Sequence, residues 1–223
     1  MATQAIRTAY AGGVSDLLGA LVEGDGSASH AYPGSAELLS GTQATRNLAD
    51  AVHHLCFLHG RHPGLVDIVA ERVAHPGARA WLANAAEAFA IERGYVTRLT
   101  VAAGPLPSTP GQAECEAAVN GQRHALEMLA RSERSGCALG AAIGLVMDWR
   151  AIRRVLDAAS VRLGVPFQPG RLPDEQETLT VAMAVAETPS VERALGFGAQ
   201  QLLAQHRGLW TVLEARREAR VSL

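Results

Sequence analysis

The stretch GCALGAAIGLVMDWRAIRRVLDAASVRL, residues 136–163, decides the fold of this 223-residue chain. It is apolar and rich in alanine, which is the best helix former because it loses no side-chain entropy in a helix. Gly136, Gly140 and Gly144 recur every four residues, so they line one side of the helix and expose its backbone to a neighbour. The stretch predicts a long helix over 137–163 that packs tightly against a second helix.

The remaining sequence predicts further helices and no clear strand. A first helix ends near Val22, and others are predicted at 43–60, 65–73, 77–103, 111–133, 174–186 and 189–220. Only TLTVAMAV, within 174–186, would also fit a strand, since no useful segment alternates apolar and polar residues. Short connections between long helices imply antiparallel neighbours. We expect an all-α, single-domain antiparallel bundle of about six to eight helices, four of them long.

The domain organisation follows from the absence of long linkers and of a repeat with a fixed period. We expect one helical-bundle domain over residues 1–223. Its main bundle covers 43–220, and an N-terminal helix with a glycine-rich loop, EGDGSASHAYPGS, packs on it within 1–42.

Composition excludes several classes of function. The net charge of −2 and the pI of about 6.4 argue against a general nucleic-acid binder. The densest basic group, Arg216, Arg217 and Arg220, is expected to be a solvated helix end. All 20 basic residues are arginine, which excludes a covalently attached pyridoxal phosphate and a P-loop nucleotide site, because both need a lysine.

The cysteines and the apolar runs indicate a cytoplasmic protein that does not enter a membrane. Cys56, Cys115 and Cys137 are far apart, form no CxxC motif and lie in apolar helical stretches, where a free cysteine acts as a small hydrophobe. The start of the sequence lacks the pattern of a signal peptide. The longest apolar run is shorter than the ~20 residues that a membrane span needs.

Four helices each place one ionisable residue on the face that should be buried. Asp148 falls in the apolar stripe of the helix quoted above, and Glu92 falls in that of helix 77–103. His59 continues the stripe of the second helix, and His206 lies on the apolar face of the last helix. These placements follow from a rotation of about 100° per residue.

These four residues have the ligand types of a metal site in a bundle core, with iron or another divalent metal as the candidate cofactor. A buried carboxylate is costly unless it is paired, protonated or bound to a metal. The same set also fits a metal-free ion-paired network or an acid–base pair in a pocket. Each histidine alone fits a hydrogen-bonded core residue, and each carboxylate fits an arginine partner from a neighbouring helix.

Two further groups are secondary candidates for a metal or catalytic site. His124 and Glu127 stand three residues apart on a helix side of mixed character, which is expected to be surface or rim. Asp50, His53 and His54 lie opposite the apolar stripe of their helix. They face solvent, or they line a groove if that helix is covered on both sides. The surrounding HHLCFLHGRH is rich in histidine, but its spacing matches no zinc motif.

In architecture the chain resembles the ferritin-like and haem-oxygenase-like bundles, although no motif carries the resemblance. Ferritin-like carboxylate proteins carry Glu-x-x-His on two helices. Here Tyr95 follows Glu92 at that spacing and Ala151 follows Asp148, so a full di-iron set is not expected. A single metal, a haem with one axial histidine, or no metal fits no worse.

Two hypotheses about function remain, because the sequence has no GxSxG elbow, no GxGxxG after a strand and no cysteine nucleophile motif. The first is a helical-bundle protein whose buried His/carboxylate site binds non-haem iron or a similar metal and acts as an oxidoreductase. The second is a non-enzymatic interaction or regulatory protein that forms a homodimer through its helix faces.

Overall fold

The structure, a computed structural model, describes residues 13–221, and every regular element in that range is helical. The all-α prediction is confirmed. The helices are α1 (Gly13–Asp25), α2 (Ala36–Leu39), α3 (Ala44–His59), α4 (Leu65–Arg72), α5 (Pro76–Ala103), α6 (Gln112–Ala130), α7 (Cys137–Leu163), α8 (Glu175–Val185) and α9 (Pro189–Val221). Two 3-10 turns, Ser27–Ser29 and Tyr32–Gly34, follow α1. The one-turn α2 is the helix that the sequence did not predict.

The segment that would also fit a strand is helical because its start is capped. The carboxylate of Asp174 accepts a hydrogen bond from the backbone N–H of Glu177 (2.8 Å), and Glu177 accepts one from the backbone N–H of Asp174 (3.2 Å). This reciprocal pair satisfies two N–H groups at the helix start. Elsewhere the largest differences from prediction are that α1 continues to Asp25 and that α6 already ends at Ala130.

α7 forms the centre of the bundle. Every residue from Cys137 to Trp149 is buried, as expected for a helix that is apolar all round. All eight other described helices contact α7, and its most extensive contact is with α9. One continuous apolar core therefore surrounds this helix.

α7 and α9 approach each other closely through glycines. A Cβ atom added at Gly140 would lie 2.1 Å from the backbone oxygen of Leu195, and one added at Gly198 would lie 1.9 Å from that of Cys137. Neither backbone leaves room for a side chain, so the predicted tight contact is confirmed. The two helices run parallel, with Gly144 beside Ala199 further along both, because α8 carries the chain back between them.

Unlike α7 and α9, α3 and α5 run antiparallel. Phe89, in the middle of α5, contacts His59 at the end of α3, and Gly104, the residue after α5, contacts His53 in the middle of α3. The glycine-rich segment after α1 is irregular, as predicted, but Ser27 and Tyr32 within it are buried. Among the helices within residues 13–221, none is both long and apolar enough to span a membrane.

Candidate functional site

The centre of the bundle holds three ionisable side chains in direct contact, which we call the buried triad: Asp148, His206 and His59. Oδ2 of Asp148 lies 2.6 Å from Nδ1 of His206. Nε2 of His206 lies 3.0 Å from Nε2 of His59. All three side chains are buried. Three of the four residues selected from the sequence therefore form one continuous hydrogen-bonded contact.

The close contact of α7 with α9 positions the triad. Asp148 follows Gly144 by four residues, so it lies on the side of α7 that faces α9. His206 lies on the opposing side of α9, and the two side chains meet. His59 is the last residue of α3, and that end of the helix brings its ring to the far side of His206.

Ser27, from the turn after α1, holds the Asp148 carboxylate from the other direction. Its backbone N–H donates to Oδ1 (2.7 Å), and its hydroxyl donates to Oδ2 (2.6 Å). The preceding Gly26 allows this approach, since a Cβ there would lie 2.7 Å from Oδ1 of Asp148 and 2.3 Å from the backbone oxygen of Val22. With His206, the carboxylate accepts three hydrogen bonds.

These contacts determine the charges in the triad. Burial alone would raise the pKa of Asp148, but the hydrogen bonds from His206 and Ser27, together with attraction to His206 when that ring is protonated, outweigh burial and lower the pKa below its ordinary value. Burial, together with His206, holds the pKa of His59 well below its ordinary 6.5. At neutral pH, Asp148 is therefore ionised and His59 is neutral. One proton lies between the two facing Nε2 atoms, with one ring donating and the other accepting.

Glu92 lies beside the triad without joining it. Its carboxylate accepts hydrogen bonds from Nε1 of Trp149 (2.9 Å) and from the guanidinium of Arg153 (2.7 Å). Burial raises the pKa of Glu92 in spite of these two partners. The Trp149 ring packs edge-on against His59, with centroids 5.3 Å apart. Glu92 thus takes the arginine partner that the sequence left open as an alternative.

His59 also forms part of the wall of a narrow cleft. The cleft has a volume of about 40 Å³, which is room for a few water molecules at most. Phe89 lines the cleft beside His59. The charged residues in the lining of the cleft are Arg61, Arg123 and Glu127. The triad therefore reaches from the interior of the bundle to this cleft through His59.

The secondary candidates are separated by the structure. His124 and Glu127 are both exposed. Glu127 lines the cleft beside His59, and His124 does not. Asp50 and His54 are buried, because α6 and α9 cover the face of α3 opposite its apolar stripe. His53 is half-buried and donates to the backbone oxygen of Gly104 (2.8 Å).

The expectation of a solvated arginine end on the last helix is wrong for Arg216 and Arg220. α9 crosses α3 in the antiparallel direction, and its last turns lie over the buried Asp50. Arg216 donates to Oδ1 of Asp50 (2.9 Å), and Arg220 contacts Oδ2 and also donates to Asn47 (2.6 Å). A buried carboxylate needs such partners, because an unpaired buried charge is strongly destabilising.

The structure brings only part of the predicted metal-ligand set together. Within residues 13–221, no group of three or more His, Cys, Asp or Glu side chains is arranged to hold a metal ion. Asp148 and His59 contact opposite ring nitrogens of His206, so they do not converge on one point. Glu92 is engaged by Trp149 and Arg153 instead.

Sequence reasoning missed two residues that shape the site. Ser27 lies in irregular sequence, where helical periodicity gives no direction for a side chain. Its only sequence signal is a small hydroxyl residue directly after a glycine in a glycine-rich segment. Trp149 follows Asp148 directly, and a tryptophan inside an apolar run has an N–H that needs a buried partner, which is the signal that would have linked it to Glu92.

Comparison with known proteins gives a family but no function. No curated protein matches the chain, and no solved structure matches it. A family model described as a family of unknown function, DUF6975, matches residues 22–221. This range includes the buried triad, Ser27 and Glu92. The chain therefore belongs to this family of unknown function, DUF6975.

Proposed function

We propose that the buried triad is an acid–base site that exchanges a proton with a small molecule held in the cleft beside His59. The observation that carries the proposal is the unbroken contact from an ionised Asp148, through His206, to a neutral His59 in the cleft wall. A carboxylate behind a histidine fixes its tautomer and stabilises the imidazolium that forms when the histidine takes a proton.

The contacts support a specific route for the proton. In the resting state that we propose, His206 is neutral and donates a hydrogen bond from Nδ1 to the Asp148 carboxylate, so its Nε2 is free to accept the Nε2 proton of His59. When Nδ1 of His59 takes a proton from a bound molecule, its Nε2 proton passes to His206. The positive charge then rests on His206, beside the Asp148 carboxylate. His59 thereby acts as a base without holding a buried charge itself.

The surroundings of His59 favour a small polar or anionic molecule. Phe89 and Trp149 pack edge-on against the His59 ring and make its surroundings partly apolar. Two arginines, Arg61 and Arg123, oppose one carboxylate, Glu127, among the charged lining residues of the cleft. The small volume of the cleft limits the part of the molecule that can reach His59 to a few atoms.

Proton exchange with a mixture of small organic acids, esters and carbonyl compounds in D₂O tests the proposal. Proton NMR would follow the loss of C–H signals or the appearance of products. We expect at least one compound to exchange or react, and the rate to fall by about a hundredfold or more in His59→Gln, as is typical for loss of a general base. Asp148→Asn should lower the rate in the same way, because the imidazolium on His206 loses its counter-charge.

His124→Gln is the matched control, since His124 is exposed. It should leave the rate unchanged. Exchange that persists in His59→Gln, or a complete absence of exchange with the wild-type protein, would refute the proposal.

The ring nitrogens give a readout that needs no substrate. We expect ¹⁵N NMR to show His206 with a proton on Nδ1 and to show a single shared proton between the two Nε2 atoms. Two rings that titrate independently, each near the ordinary pKa of about 6.5, would rule out the coupled site.

Binding of non-haem iron or another divalent metal, with oxidoreductase activity, is the second candidate function. It is favoured by the facing Nε2 atoms of His59 and His206 and by a carboxylate on the other nitrogen of His206, as is common behind metal-bound histidines. Two protein ligands are fewer than zinc sites use, so we prefer the acid–base site. We expect elemental analysis to find no stoichiometric metal. A bound metal that is lost in His206→Gln would reverse this preference.

A non-enzymatic interaction or regulatory protein that forms a homodimer is the alternative from another class. The exposed large apolar side chains of residues 13–221 are distributed over six helices and one loop: Phe57, Val101, Met128, Val161, Phe167, Met183, Phe197 and Val221. Light scattering tests for a dimer. The cytoplasmic location and the absence of a nucleic-acid ligand stay predictions, which cell fractionation and an electrophoretic mobility assay would check.

A further inference from the structure

A third buried histidine, His54, lies outside the triad and contacts a potential nucleophile. Sγ of Cys115 on α6 lies 3.2 Å from Nε2 of His54 on α3. Nδ1 of the same ring lies 2.7 Å from the backbone carbonyl oxygen of Asp50. Because a carbonyl oxygen only accepts, Nδ1 carries the ring proton, and Nε2 presents its lone pair to the thiol.

We propose that Cys115 and His54 form a nucleophile–base pair whose thiol reacts with a small, soft electrophile in the adjoining cavity. The arrangement has the three parts of an activated nucleophile: a thiol, a base within hydrogen-bond reach, and a third group, the Asp50 carbonyl, that orients the base. Sequence reasoning alone predicts that Cys115 acts only as a small hydrophobe.

The charges around the pair suit a thiol that is deprotonated during reaction. Burial lowers the pKa of His54, so its ring is neutral and can take a proton. Burial also raises the pKa of Cys115, against the opposing effect of Arg216, so the resting sulfur keeps its proton. Arg216 lies against this thiol, and its positive charge stabilises the negative charge that develops on the sulfur.

A cavity of about 220 Å³ adjoins His54, which forms part of its wall, and the Cys115 sulfur lies 3.2 Å from Nε2 of this ring. Val119, four residues after Cys115 and on the same side of α6, also lines it. Its volume suits an electrophile of a few heavy atoms. The complete lining is His53, His54, Phe57, Leu106, Glu116, Val119 and Asn120.

The addition of N-ethylmaleimide represents the proposed step. His54 Nε2 takes the thiol proton, and Sγ forms a bond to one alkene carbon. The π electrons of the alkene move to the other carbon, which then receives the proton from His54. No group leaves, and no oxidant is needed.

Labelling of the native protein with N-ethylmaleimide, quantified for each cysteine by mass spectrometry, tests the pair. Cys137 and Cys115 are both buried, at 2% and 6% exposure. We expect Cys115 to react about tenfold faster than Cys137 or more, and His54→Asn to slow it by about tenfold or more. An asparagine at position 54 keeps a donor for the Asp50 carbonyl and removes the base. The half-buried Cys56 should keep its rate.

His53→Asn is the matched control, because His53 lines the same cavity but does not contact the thiol. It should leave the Cys115 rate unchanged. Loosened packing speeds the labelling of a buried thiol, so a slower rate in His54→Asn is not explained by partial unfolding. Equal rates for Cys115 and Cys137, or a Cys115 rate that is unchanged or higher in His54→Asn, would overturn the proposal.

Discussion

His59 and His54 are buried histidines whose pKa values are lowered, and this ties the stability of the protein to pH. The unfolded chain, with an ordinary histidine pKa of about 6.5, binds protons at a pH where the folded chain does not. The contribution of each ring to stability is therefore complete above about pH 6.5 and is lost as the pH falls below it. We expect the free energy of unfolding to fall by up to about 1.4 kcal/mol per pH unit for each ring in this range.

Urea unfolding at a series of pH values measures this slope. His59→Phe should reduce the slope just below pH 6.5 by about half, because one of the two rings no longer titrates. His124→Gln, at an exposed position, should leave it unchanged. An unaltered slope in His59→Phe would show that the pKa of His59 is not lowered in the folded protein.

Gly26 is the residue on which the support of Asp148 depends most directly. Gly26→Ala places a methyl group against Oδ1 of Asp148 and the backbone oxygen of Val22, so the turn that carries Ser27 must move. We expect a loss of about 1–3 kcal/mol in the free energy of unfolding, together with a weaker hydrogen bond between Asp148 and His206 in NMR spectra.

Gly24→Ala is the comparison for Gly26→Ala, because a Cβ at Gly24 would meet no atom within 4 Å. It lies in α1, where alanine should be neutral or stabilise by about 0.5–1 kcal/mol. Similar unfolding energies for the two variants would contradict the tight approach of Ser27 to Asp148.

At the scale of elements, the contact between α7 and α9 is the one that tolerates least change. In Gly140→Ala the new methyl group meets the backbone of Leu195, which cannot move aside as a side chain does. We expect α7 and α9 to separate, at a cost of about 2–3 kcal/mol, measured by urea unfolding. Gly121→Ala, in α6 with no atom within 4 Å of the added Cβ, should cost nothing. Equal costs would mean that the two backbones are not in contact.

Helical periodicity predicted the elements and the buried faces well, because one apolar stripe is enough to orient a helix. Asp148, His206 and His59 were selected in this way. Periodicity does not show how far along the bundle axis a residue lies. It therefore selected Glu92 together with the three triad residues, although Glu92 pairs with Arg153. It also says nothing of irregular segments, which is why Ser27 was missed.

The same argument explains why the contact between His54 and Cys115 was not predicted. His54 lies opposite the apolar stripe of α3, and a single stripe predicts that this side faces solvent. α6 and α9 cover it instead. The burial of this side of α3 depends on how α6 and α9 pack in the tertiary structure. No residue pattern within α3 indicates it.

At the scale of the whole molecule, all described helices share the core around α7. We therefore expect a single cooperative unfolding transition, which also tests the prediction of one domain over residues 1–223. The loss of helix by circular dichroism should coincide with the change in fluorescence of Trp81, Trp149 and Trp210, which lie on α5, α7 and α9. Two separated transitions, or a stable 43–220 fragment after limited proteolysis, would contradict a single cooperative unit.

The parallel contact of α7 with α9 also determines where the chain tolerates changes of length. Residues 164–173 and 186–188 connect α7 to α8 and α8 to α9, so an insertion in either connection leaves α7 and α9 in register. One residue inserted between Gly144 and Asp148, or between Ala199 and His206, instead turns the following side chain by about 100° and shifts it by about 1.5 Å. The 2.6 Å contact of Asp148 with His206 would then be lost. Relatives of this protein should therefore vary in length within 164–173 and 186–188, and should keep the spacing from Gly144 to Asp148 and from Ala199 to His206.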